Sequence, residues 1–207
     1  MRKRAFFISL EGGEGAGKST HLKFLAKFLR EKGFKVETFR EPGCTCLGEK
    51  IRKILLYSQE EITPLAELFL YLSARSQFIK EKLKPALEKA DIVISDRFSD
   101  STLVYQGYAL NLGIDKIKLL VDFASQGIKP NLTFVLAIDP QKGLKRIKGK
   151  KDRIEKRPLK FHKDLQRGYQ LLAKREPKRI KVIKSKSVSY VQKKMVEYLE
   201  KALKWKR

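Results

Sequence analysis

The sequence predicts an α/β fold: a five-stranded, mostly parallel sheet with helices on both faces. Three observations carry this. Short apolar runs of strand length recur at residues 5–10, 92–95, 132–136 and 180–183, with an alternating stretch at 35–39. Near-continuous apolar runs belong to strands buried on both faces. Between them lie stretches whose apolar residues fall at helical spacing, and strand–helix alternation gives a parallel sheet with helical cover. The first apolar run also passes into a glycine-rich turn that opens the first helix. At 207 residues the chain is long enough for one domain with a sizeable core, so residues 1–207 read as a single domain.

Taken in order, the first helix spans about residues 18–32, with Leu22, Leu25, Ala26 and Leu29 on one face and Gly33 as its left-handed cap. Arg40-Glu41-Pro42-Gly43 then breaks regular structure. A short helix follows over 47–56. Thr63-Pro64 starts another, with Thr as cap and Pro at the first position. It carries Leu68, Leu72, Arg75 and Ile79 at helical spacing and reaches Pro85, where a kink or second helix begins. The third strand ends in Asp96-Arg97, and a helix starts over 99–105. Residues 114–125 form a helix closed by Gly127, and Pro140 opens one through Arg146. A basic, helix-poor excursion at about 148–158 precedes helices at 159–175 and 188–203, the last capped by Ser187 or Ser189.

Net charge is +24, from 47 Lys+Arg against 23 Asp+Glu, and residues 141–207 carry 25 of the cations and six of the acids. That suits polyanionic partners, whether nucleotide, nucleic acid or membrane surface. Charge alone does not choose among them. Two cysteines, Cys44 and Cys46, supply at most two of the four ligands a structural zinc wants, and they read as reduced thiols. The basic Arg2-Lys3-Arg4 run precedes an apolar stretch that enters the glycine turn with no cleavage-type segment, so it is not read as a signal peptide. No apolar run reaches membrane-spanning length. A cytoplasmic location is expected.

The glycine turn is Gly12-Gly13-Glu14-Gly15-Ala16-Gly17-Lys18-Ser19, two glycines bracketing four residues before Lys and Ser. In strand–turn–helix context this pattern turns backbone N–H groups onto phosphate oxygens, and the helix terminus adds partial positive charge. Lys18 then reaches the β- and γ-phosphates and Ser19 holds Mg²⁺. Asp96 closes a strand beside this loop, where an aspartate can hold Mg²⁺ through water. The guanidinium of Arg97 matches two phosphate oxygens and can bridge donor and acceptor. Tyr71 and Arg75, four apart on one helix, face the same way and suit a flat base, although a tyrosine at helical spacing is as often core. Tyr105-Gln106 can floor the same pocket. Lys148, Lys150, Lys151 and Arg153 are the cations of the excursion; a basic segment closing over phosphates supplies transition-state charge.

Together these segments resemble the thymidylate kinase family of P-loop nucleoside monophosphate kinases, over nearly the whole chain. Glu11 through Thr20 is similar to its phosphate loop. Arg40-Glu41-Pro42-Gly43 with Thr45 is similar to its Arg-Glu-Pro-Gly-Gly-Thr loop, Ser73-Ala74-Arg75 to its base-recognition helix, Asp96-Arg97 with Tyr105-Gln106-Gly107 to its acceptor site, and Asp152-Arg153-Ile154-Glu155 to its lid. The resemblance implies a P-loop NTPase fold with a short lid, and ATP- and Mg²⁺-dependent phosphorylation of dTMP to dTDP. It implies that Arg97 and Arg40 hold the dTMP phosphate. Tyr71 stacks near thymine, Arg75 bonds its carbonyl and Thr102 is a polar base contact. Tyr105 crowds the ribose 2′ position, and Glu14 lies close to the acceptor sugar and metal. The family is usually a homodimer. Of its two catalytic arrangements, an arginine in the phosphate loop or one in the lid, Gly15 excludes the first here and Arg153 points to the second. Cys44 stands where the family's loop has a second glycine, Ala137 where an Asp usually follows the fourth strand, and Lys150-Lys151 replaces the usual lid pair. The catalytic expectation is therefore Lys18, Arg97, Arg153 and Glu14. The rivals are a kinase for another monophosphate or a deoxynucleoside, a P-loop nucleic-acid-binding ATPase suggested by the charge, and a nucleotide-sensing module. Nucleic acid enters otherwise only as a nonspecific electrostatic partner.

Overall fold

A computed structural model describes residues 5–203. Five strands, β1 (Phe6–Glu11), β2 (Val36–Arg40), β3 (Ile92–Asp96), β4 (Leu132–Ala137) and β5 (Ile180–Lys184), form one sheet in the order β2-β3-β1-β4-β5. Every pairing is parallel, so the sheet is wholly rather than mostly parallel. Parallel neighbours need a crossover, and the intervening helices supply it. The register places Leu10 opposite Asp96 and Phe134, so the carboxyl ends of β1 and β3 emerge side by side.

Period-two alternation sorts the strand side chains onto two faces. Ile8, Leu10, Ile94 and Phe134 pack with Leu25 and Leu29 of α1 (Lys18–Glu31) and with Met195 and Leu199 of α9 (Val188–Ala202). Phe7 and Val93 face the other way, onto Phe78, Leu83 and Phe98. Val135 lies on that second face with Leu68, Val104, Leu165 and Tyr169.

Caps fall where side-chain oxygens precede helices. Thr45 accepts from Gly48 N–H at 2.9 Å and starts α2 (Cys46–Tyr57). Thr63 starts α3 (Pro64–Phe78). Of the two serines proposed for α9, Ser187 is the cap, accepting from Tyr190 N–H at 3.1 Å. At Pro85 a second helix begins, as expected, with the proline in its first turn. A π-helical turn, Ile79–Leu83, links α3 to α4 (Lys84–Lys89), and its wider hydrogen bonding carries the helix past a residue with no N–H. A second π-helical segment, Leu103–Ala109, extends α5 (Ser99–Thr102) beyond the expected Tyr105. Then follow α6 (Ile114–Ala124), α7 (Pro140–Lys145) and α8 (Leu159–Arg175). Residues 147–158 contain no helix or strand, as expected for the excursion. Among the described residues, no helix is long and apolar enough to cross a membrane. Arg2-Lys3-Arg4 lies outside the described residues.

Candidate active site

The sheet delivers β1 into the glycine loop, and two glycines there are forced. Gly12 has φ +136°, and a Cβ on it would lie 2.6 Å from the Leu136 carbonyl oxygen of β4. Gly15 has φ +67°, and a Cβ there would overlap the Gly143 carbonyl of α7, well inside van der Waals contact. The loop is thus clamped backbone-to-backbone against α7, and no side chain, arginine included, fits at position 15 without moving α7. Lys18 Nζ crosses the loop to the carbonyls of Gly13 at 2.9 Å and Gly12 at 3.2 Å. Burial, then Arg97, pushes its pKa down.

Ser19 Oγ donates to Asp96 Oδ2 at 3.0 Å, so the two proposed metal ligands meet across β1 and β3. Two oxygen donors at a phosphate loop fit Mg²⁺, which takes one or two protein ligands and fills its octahedron with phosphate oxygens and water. Gly15, Ala16, Gly17, Lys18, Ser19 and Thr20 line a cavity of about 680 Å³ with Arg40 and Arg97.

Arg97 joins this cavity to the next. Its backbone sits at φ +73°, a conformation costing about 1–3 kcal/mol that persists only where the surroundings impose it. Here they do. Its N–H bonds Leu10 O at 2.9 Å, and its carbonyl accepts from Ser95 Oγ at 2.7 Å. Fully buried Glu11 accepts from Phe98 N–H at 2.8 Å, from Tyr169 Oη at 3.0 Å, and from Ser101 Oγ. Burial and then Asp100 push the Glu11 carboxyl up to about 7, against the Ser101 and Ser9 hydroxyls. The Arg97 side chain pairs with Glu14 at 2.8 Å and lies 4.9 Å from the Tyr105 ring centre, and Tyr105 Oη donates to the same Glu14 oxygen at 2.7 Å. Burial would raise the Glu14 carboxyl; Arg97, then Lys18 and the Tyr105 hydroxyl, outweigh it and hold it at about 2.

Beyond Glu14 and Arg97 lies a smaller cavity of about 80 Å³, lined by Tyr71, Arg75, Thr102, Tyr105 and Gln106. Arg75 is buried, pairs with Glu41 at 2.8 Å, and donates to Thr102 Oγ1 at 2.8 Å. The structure therefore brings together every proposed acceptor residue except Arg40, which is exposed, pairs with Glu49 at 3.0 Å, and lines the larger cavity. Cys44 sits at φ +64°, the left-handed region that glycine favours.

Arg153 lies apart from the phosphate loop. Its Nε donates to Leu55 O at 2.7 Å, its backbone N–H to Leu56 O at 3.0 Å, and its Nη2 to Glu67. Lys148, Lys150 and Lys151 are exposed. Three arginine or lysine residues of the cavities escaped the sequence reading: Arg146 and Lys186 in the larger cavity, and Arg52, which lines both and donates to Pro42 O at 3.0 Å. Arg146 was visible as the end of the Pro140 helix, but nothing local says where that end points.

Residues 10–195 match the family model for thymidylate kinase. The chain belongs to the thymidylate kinase family. It is 43% identical over 203 residues to the thymidylate kinase of Caldanaerobacter subterraneus subsp. tengcongensis, covering 97% of this chain and 98% of that one. It is 43% identical over 204 residues to that of Bacillus licheniformis, covering 96% of each. The crystal structure of the Ehrlichia chaffeensis thymidylate kinase superposes with a TM-score of 0.77 at 30% identity, covering 95% of this chain and 99% of that one. In this family member the two cavities adjoin, one at the phosphate loop and one beyond Arg97, with Glu14 and Arg97 lining both.

Proposed function

We infer that the chain transfers the γ-phosphoryl group of ATP to dTMP, giving dTDP, with Mg²⁺. One observation carries the assignment of sites: Glu14 and Arg97 line both cavities, so the two phosphates would meet at one ion pair. The acceptor phosphate oxygen is already ionised, so no strong general base is needed; positioning and charge do the work. Lys18 and Arg97 supply positive charge from the donor and acceptor sides. Glu14, ionised throughout the physiological range, keeps Arg97 and Tyr105 in register and faces the acceptor sugar. Ser19 and Asp96 would hold Mg²⁺, which neutralises charge on the donor phosphates when bound. Arg75 and Thr102 read the thymine edge, Tyr71 stacks beside it, and Tyr105 opposes a 2′-hydroxyl. Arg40 takes part of the acceptor phosphate. Arg153 acts as the lid arginine by exchanging Glu67 for the transferring phosphoryl; its neighbours Asp152 and Ile154 already line the acceptor cavity.

The acting unit is a homodimer. Support comes from apolar side chains left exposed on neighbouring helices: Leu65 and Phe69 of α3, and Leu119 and Phe123 of α6, the last two 77% and 84% accessible. Such a surface suits a partner rather than water. Two free thiols and nucleotide substrates support a cytoplasmic location.

The deciding experiment is a panel of nucleoside monophosphates and deoxynucleosides under one ATP-coupled assay, with and without Mg²⁺. dTMP is expected to be the preferred acceptor, with turnover abolished by chelation. Preference for another acceptor overturns the assignment, and stimulation of ATP hydrolysis by DNA or RNA favours the nucleic-acid rival.

A further inference from the structure

Glu67 lies on the first turns of α3, one turn before Tyr71, and is 0% exposed. A buried carboxylate needs countercharge, and this one has two. Its Oε2 accepts from Arg153 and, at 2.7 Å, from Arg157; its Oε1 accepts from Gln106 Nε2 at 2.9 Å. One negative charge thus faces two guanidinium groups, both mostly buried. Arg157 is further held 4.6 Å from the Phe161 ring centre, and its Nη1 is buried with no hydrogen-bond partner.

Removing one member of a buried ion pair is strongly destabilising because it leaves the other charge uncompensated. That penalty is missing here for Arg153. If its guanidinium leaves, Glu67 keeps Arg157 and Gln106, and the group of three becomes a neutral pair with its amide donor. Arg157 stays bonded to Glu67 through Nη2 and still carries an unpartnered buried donor at Nη1. The reverse exchange is less favourable, because Arg157 is held by the Phe161 ring on its other side, whereas Asp152 and Ile154, on either side of Arg153, line the smaller cavity.

We propose that Glu67 is a positioning residue that holds Arg153 between turnovers, and that Arg157 lets it go by supplying the replacement countercharge. This rests on the reading of Arg153 as the lid arginine. Glu67 touches no reacting atom. It acts by keeping Arg153 beside the acceptor cavity until a transferring phosphoryl group competes for it. The acceptor contact Gln106 shares the same carboxylate, so acceptor cavity and lid are tied at one side chain.

The test is steady-state kinetics on Arg157→Leu, on Arg157→Leu with Glu67→Gln, and on Arg153→Ala, with circular dichroism melting on each. In Arg157→Leu, Arg153 becomes the sole countercharge of Glu67. Its release is then opposed, and kcat is expected to fall roughly tenfold or more while KM for dTMP moves little. Adding Glu67→Gln removes the charge that retains Arg153 and is expected to restore kcat to within about threefold of the parent. A merely structural cluster predicts the opposite, a double variant at least as impaired as the single. Parental kcat in Arg157→Leu, or no rescue by Glu67→Gln, overturns the proposal. Should Arg157→Leu fail to fold, Arg157→Lys keeps the charge with a single donor point and is expected to give a smaller fall, rescued the same way. Arg153→Ala separates the two levels: unchanged kcat in that variant alone removes the lid-arginine reading itself.

Discussion

The half of the site at the phosphate loop is made of backbone, and the half proposed to take the acceptor is made of side chains that hold one another. Around residues 12–19 the shape is set by glycines pressed against the backbone of β4 and α7, and Lys18 rests on two carbonyls. Around Arg75 and Tyr105 it is set by Glu41, Thr102, Glu14 and Arg97, which come from three separated segments. A backbone site tolerates side-chain change outside its one reaching cation. A site of mutually paired charges fails in pairs, because each deletion strands a partner.

The largest expected effect tests the phosphate-loop half. Lys18→Ala is expected to lower kcat on the order of 10³- to 10⁴-fold with little change in melting temperature, since it removes one cation and leaves the loop backbone standing. A large loss of stability would show that the loop depends on its side chain after all.

Arg75→Ala should fail differently. It leaves Glu41 buried and unpaired, and is expected to destabilise the fold by about 3–5 kcal/mol while raising KM for dTMP. Adding Glu41→Gln should recover part of the stability and none of the affinity, as read from urea unfolding and dTMP titration. Stability that does not respond to the second change breaks the claim of paired failure.

The two carboxylates flanking Gly12-Gly13 sharpen the contrast through pH. Glu14, held at about 2 against an ordinary 4.5, contributes stability above pH 4.5 that is lost as pH falls through 2. At about 1.36 kcal/mol per unit this is on the order of 3 kcal/mol, missing from Glu14→Gln. Glu11, raised to about 7, has the opposite sign: its contribution is complete below pH 4.5 and lost as pH rises through 7. Urea midpoints across pH 2–8 for the parent and each Glu→Gln variant should therefore diverge at opposite ends. Curves displaced in parallel would contradict both assignments.

The smallest effect concerns Tyr105. Phenylalanine there removes one hydrogen bond to Glu14, about 1 kcal/mol, and keeps the ring. Discrimination between dTMP and its ribo counterpart is expected to weaken more in Tyr105→Ala than in Tyr105→Phe. Equal discrimination in all three proteins removes Tyr105 from that role.

This contrast also explains what could be read in advance. The phosphate loop, the strands and the caps at Thr63 and Ser187 follow from residues adjacent in sequence, so pattern sufficed. The Glu41–Arg75 and Glu67–Arg153 pairs join residues 34 and 86 positions apart, and no spacing rule says which buried acid meets which arginine. The resemblance placed Arg75 and Arg153 in the site, yet gave neither its carboxylate. The π-helical segments were invisible for a related reason: each is only one or two turns long, too short to show a distinct period in the apolar pattern. Arg52 and Arg146 were ordinary helix cations until folding aimed them.

The contact between Gly15 and Gly143 has a consequence for how this enzyme can change. Gly143 belongs to α7, which leads directly into the lid segment. A phosphate-loop arginine and a lid arginine are therefore not one mutation apart here. Substituting position 15 would lever α7 outward and carry the start of the 147–158 segment with it and, if Arg153 is the lid cation proposed above, would displace that cation before a new one is placed. The two layouts are separated by a valley, and crossing it requires rebuilding the lid's attachment together with the loop.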